Sequence, residues 1–203
     1  MTKPVRLIAA TAAYCIASLC FGATSTQSIS LAGYQVVPIK NGITPFDYAP
    51  AGGKAVSPQP GYIAFSRREN FNAHGFDLAN FYAFGPGDQH STLGVLPLFD
   101  GKNEKFEVSR SGGADCVLHD FRLLKSDKGG PAILVIADRK SGESFADVAA
   151  VTFRFFKLSE NTKEGIGRPY LYFERVETRK ATEKYCDVGR AFETELHLGP
   201  YDN

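Results

Sequence analysis

Turn signals cut this chain into short strand-like runs, a pattern that points to an antiparallel β domain. Residues 34–40 form the first run, with Pro38 suited to an edge or a bulge. Asn41-Gly42 is a turn. Residues 45–60 hold Pro45, Pro50, Pro58 and Pro60 with Gly52-Gly53, so a long irregular loop is expected there. Residues 62–65 and 76–84 are aromatic-rich strand candidates. The run 93–99 is turned by Asp100-Gly101-Lys102 into 105–108, which reads as a hairpin.

The second half continues in the same style. Residues 116–124 form a strand, and 132–137 are apolar without a break, as in a strand buried on both faces. The run 148–158 sets Val151, Phe153 and Phe155 on one face, and 170–176 is a further strand. Near the end, Phe192, Thr194, Leu196 and Leu198 alternate with Glu193, Glu195 and His197, which has the period of a strand. Only 178–188 reads as a helix. The expected fold is mostly β: a single-domain antiparallel β-sandwich or flattened barrel, with at most one short helix near the C-terminus. No segment repeats at a fixed period.

The N-terminus has the order of an export signal. Lys3 and Arg6 precede an uncharged stretch from Leu7 to Ala23, and small polar residues follow. Thr11, Tyr14 and Ser18 dilute that stretch, which favours removal over anchoring, since a spanning helix needs about 20 apolar residues. The organisation expected is a cleaved signal over 1–25, a flexible leader over 26–32, and a single β-rich domain over 33–203. No integral membrane segment is expected after cleavage, and the destination expected is periplasmic or secreted.

Cysteine use fits that route. Cys15 and Cys20 leave with the signal, and Cys116 with Cys186 remain as an even pair. In an oxidising compartment such a pair reads as a disulfide. Without Lys3 and Arg6 the 23 basic residues fall to 21, against 22 acidic ones. That balance argues against a nucleic-acid partner, which would favour a basic face.

Motifs for chemistry are scarce. The sequence has no Gly-x-Ser-x-Gly elbow and no phosphate-loop spacing. No cofactor is expected. The four histidines have no recognised zinc spacing, and His119 and His197 read as residues of polar strand faces. The weak metal candidates are His74, Asp77 and His90, which fall in or beside loops. Asp115, Asp120, Glu174 and Glu177 are available for a paired-carboxylate hydrolase, but any chain with 22 acids offers such pairs.

Aromatics are the most unusual feature, with 16 Phe and no Trp. Most should fill the core. The stretch 67–76 differs, because it mixes charged, amide and aromatic side chains around a loop. Arg67, Arg68, Phe71, His74 and Phe76 are the candidate binding residues, with Phe71 the best candidate for exposure. The functional expectation is an exported non-catalytic binding protein that recognises another protein, as an inhibitor or an immunity-type partner does. The alternative is an envelope hydrolase using a His/Asp metal site or paired carboxylates. Two further stretches, 137–142 and 167–174, are distinctive without pointing to a chemistry.

Overall fold

The apolar run at 132–137 becomes the middle of the molecule. The computed structural model describes residues 28–49, 58–71, 75–85, 92–162 and 166–201. Their strands are β1 (Tyr34–Val36), β2 (Gly42–Tyr48), β3 (Gln59–Arg68), β4 (Phe76–Phe84), β5 (Leu93–Val95) and β6 (Leu98–Asp100). Then follow β7 (Asn103–Lys105), β8 (Val108–Gly112), β9 (Val117–Ser126), β10 (Ile133–Arg139), β11 (Ala149–Glu160) and β12 (Leu171–Tyr185). A helix, α1 (Val188–Leu196), closes the chain.

Alternate residues of β10 are buried on opposite sides. Leu134 and Ile136 join a core with Phe81, Phe121 and Phe173, while Val135 and Ala137 join another with Phe153, Phe155 and Phe192. The strands run in the order β2-β3-β4-β8-β9-β10-β11-β12-β6-β7, with β1 beside β9 and β5 beside β4. Nearly all pairs are antiparallel; β6 returns parallel to β12, with Leu98 opposite Phe173. Phe46, Ile63 and Phe81 from β2 to β4 share the first core with Leu134 and Phe173, so that part of the sheet lies over the face of the rest. Helix α1 covers the opposite face through Val188, Ala191, Phe192 and Leu196. Two packed layers and a covering helix are therefore made from one sheet, which stays open: β2 and β7 end it rather than pairing with each other.

Strand β8 is the corner between the layers. It pairs with β4 through Asp77 and Arg110, and with β9 through Ser111 and His119. The register shifts at Gly112. A Cβ on Gly112 would lie 2.3 Å from the Cys116 carbonyl oxygen, so the close strand approach at this bulge needs glycine.

Three local expectations are corrected. Residues 178–185 continue β12 rather than forming a helix. Their Glu, Lys and Arg favour a helix locally, but pairing with β11 runs to Ala149 opposite Tyr185 and overrides that preference. Conversely, 192–196 are helical rather than extended. Phe192 and Leu196 fit a spacing of two and a spacing of four equally well; Val188 and Ala191 complete the helical face. Asp187 caps the helix by accepting from Gly189 N at 2.7 Å, and its other oxygen accepts from Val117 N at 2.9 Å. The irregular loop expected over 45–60 is shorter, since β2 reaches Tyr48 and carries Pro45 on the sheet edge. Of the residues preceding β1, Ile29 and Leu31 pack against the second core, and Ile29 N donates to Glu177 at 2.6 Å.

Candidate functional site

Hairpin β3–β4 brings most of the predicted binding residues to one end. Arg67 stands opposite Asp77 and Arg68 opposite Phe76. The Arg68 guanidinium lies 5.0 Å from the centre of the Phe76 ring and donates to Asn70 at 2.9 Å. Arg67 approaches Glu69 at 3.9 Å, with both side chains largely in solvent. The Glu69 carboxylate accepts from the backbone N–H groups of Asn70 and Phe71, and these bonds, Phe71's foremost, hold its pKa below the ordinary value. Phe71 is 96% exposed and has φ of 55°, in the left-handed region that disfavours an aromatic residue. His74 lies outside the described residues, as does His90. Asp77, the remaining metal candidate, faces Arg110 across β4 and β8. Among the described residues no group of three or more His, Cys, Asp or Glu is placed to hold a metal ion.

A second polar site was not anticipated. Ser111, His119, Asp138, Thr152 and Lys180 stand opposite one another in successive strands β8 to β12. Direct cross-strand partners share a face, so the row crosses one side of the sheet. His119 Nδ1 lies 3.0 Å from Asp138 Oδ1. The other Asp138 oxygen accepts from Arg154 Nε at 3.0 Å. Arg154 also reaches Asp100 at 3.3 Å, and Asp100 holds Arg175 at 3.0 Å. This chain of charge-assisted bonds fixes the imidazole, which remains 44% exposed. A shallow depression of about 910 Å³ lies over the row, lined among others by His119, Lys140, Thr152 and Lys180.

Burial pushes the Asp138 carboxyl up, but His119 and Arg154 outweigh it and hold it below the ordinary carboxylate range. A depressed folded-state value means the stabilisation is present above the unfolded value, about 3.9, and is lost as pH falls through the folded one. Asp138→Asn should therefore flatten the acid side of the stability curve below about pH 4. Urea unfolding from pH 2 to 7 checks it; an unchanged acid limb would contradict the assignment.

Three of the four carboxylates considered for hydrolysis are held in ion pairs elsewhere. Asp120 is bound to Arg122 at 2.6 Å, Glu174 to Arg168 at 3.0 Å and Glu177 to Arg179 at 2.9 Å. Asp120 is buried beneath the α1 side of the sheet; burial pushes its carboxyl up more than Arg122 and the Phe121 N–H pull it back. Arg122 also donates to the Gly199 carbonyl at 2.7 Å and lies 4.5 Å from the Phe192 ring and 5.2 Å from the Tyr201 ring.

The architecture has a solved counterpart. The chain is similar to the crystal structure of CarG, with a TM-score of 0.62 and 21% sequence identity over 82% of this chain and 99% of that one. That degree of identity establishes a shared fold and no more. No family model matches the sequence. No curated protein matches it either.

Sequence reasoning placed His119 on a polar strand face but missed its partners. One signal was available. Asp138, Arg139, Lys140 and Ser141 all border the depression, and they belong to the distinctive stretch 137–142. The Cys116 and Cys186 pair lies at disulfide distance, with Cα atoms 5.7 Å apart.

Proposed function

We propose that this protein is exported and acts as a non-catalytic binding protein, gripping another protein through the end of hairpin β3–β4. The observation that carries the reading is Phe71: a large apolar ring held in solvent on a strained backbone, beside Arg67 and Arg68. Strain of this kind persists where the surroundings impose it, and it clusters at ligand contacts. Rigid aromatics and arginines are also the residues that dominate protein interfaces. Export is supported by the Lys3/Arg6-led N-terminus and the retained cysteine pair. Among the described residues no helix is long and apolar enough to cross a membrane. An inhibitor or an immunity-type partner fits a site that occupies a partner's pocket with one projecting ring. The destination proposed is the periplasm or the medium.

Phe71→Asn tests the site cleanly, because Asn tolerates the left-handed backbone while removing the ring. Folding stability should change by less than about 0.5 kcal/mol, as for most exposed positions. Affinity for the captured partner should fall about 30-fold, the effect of losing an anchor worth about 2 kcal/mol. Affinity capture from envelope extract, run with wild type, Phe71→Asn and Arg67→Glu/Arg68→Glu, measures this. Identical recoveries from all three would refute the assignment of the surface.

A further inference from the structure

The polar row across β8 to β12 has features that the hairpin end does not use. His119 is fixed through Nδ1, and its other ring nitrogen has no hydrogen-bond partner among the described residues. Lys140 and Lys180 border the same depression and make no ion pair among the described residues. Arg139, which also borders it, is 1% exposed; its guanidinium donates to the carbonyls of Lys140, Phe145 and Asp147. No carboxylate lies within ion-pair distance of Arg139 among the described residues, and its Nε is buried without a partner. Arg154 adds a further cation, and Asp138 is the carboxylate bordering the depression. Its charge is already engaged by Arg154 and His119.

We propose that this depression is a binding site for a small anion, a carboxylate or a phosphate group. The anion would take its hydrogen bonds from the Thr152 hydroxyl and from His119 Nε2 of the doubly protonated imidazolium, since Nδ1–H is given to Asp138, with the Lys140 and Lys180 ammonium groups as point charges. Fixing the donors beforehand is the condition under which such a site binds with little ordering cost. The volume lies at the upper end of the range of small-molecule sites, so the anionic group is one part of a larger polar ligand. Asp138 is a positioning residue here: it holds the imidazole and makes no contact with the ligand.

The site is tested on the purified protein by following the His119 ring resonance during titration. The probes are inorganic phosphate, citrate and glucose at constant ionic strength. Saturable movement with both anions supports a general anion site, and movement with phosphate alone or citrate alone identifies the ligand's acidic group. Glucose should leave the resonance in place. Lys140→Gln/Lys180→Gln should weaken binding about tenfold, as expected for two charges near the surface. Asp138→Asn should weaken it as well while the fold is retained. Phe71→Asn should bind as wild type, which separates this site from the hairpin end. No saturation below about 30 mM of either anion, where screening still leaves near-surface contacts intact, would overturn the proposal. Unaltered binding in the double lysine variant would do the same.

Discussion

Asp120→Ala is expected to cost about 4 kcal/mol of folding free energy, the loss typical of breaking a buried ion pair from one side. The Asp120 and Arg122 side chains are 4% and 3% exposed. Removing the carboxylate leaves a buried guanidinium with no ion-pair partner among the described residues, and it strips Phe121 N of an acceptor at 2.8 Å. Both groups then carry an uncompensated desolvation cost. The companion variant Asp120→Leu/Arg122→Met removes both charges. It should be less costly than the sum of the single changes by about 2 kcal/mol, because neither charge is stranded. It should not be neutral. Arg122 also holds the Gly199 carbonyl and packs on Phe192 and Tyr201, so the last residues lose an anchor. Denaturant unfolding of Asp120→Leu, Arg122→Met and the double variant measures the coupling; strict additivity would show that the pair does not act as a unit.

Removing the bridge, by Cys116→Ala/Cys186→Ala or by a reductant, should cost about 4 kcal/mol. The cysteines are separated by 70 residues, and closing a loop of that size restricts the unfolded chain strongly. The midpoint of thermal unfolding should drop by about 12 °C for a chain of this length. The native contacts at the junction are doubled, since Asp187 ties Val117 to the start of α1 beside the bridge. Circular dichroism at room temperature should therefore be unchanged, with the loss visible only on unfolding. A loss below about 1 kcal/mol would contradict the chain-entropy account.

Legibility depended on how local each signal was. The strand at 132–137 was readable because burial on both faces leaves no polar position in the run, and that burial is what β10 shows. The end of the chain misled because Phe192 and Leu196 satisfy two periods at once. The difference lay in Asp187, whose cap fixes the helix start, and in Thr194, which is exposed. Residues 178–185 misled for the opposite reason, since their local preference is overruled by a partner strand distant in sequence. The hairpin end could be foreseen, as its charged and aromatic residues are contiguous between two strands. The polar row could not. Ser111, His119, Asp138, Thr152 and Lys180 belong together only through strand register, which no single segment encodes. The stretch 167–174 resolves into a packing device: Arg168 lies over Phe99 and Tyr172 at 4.6 and 4.9 Å and pairs with Glu174.

The position of the bridge has one more consequence. Cys116 immediately precedes β9 and Cys186 immediately follows β12, so the bond encircles the whole central meander and little else. Topologically, the middle of the molecule is a covalent ring with two tails. One proteolytic cut in any of its three connections, at 127–132, 140–148 or 161–170, would open the ring without releasing a fragment. Strands on both sides of the cut would stay tethered and still paired through the sheet. If the protein is exported as proposed, this geometry would convert a first nick by an extracellular protease from a severing event into a tolerated scar.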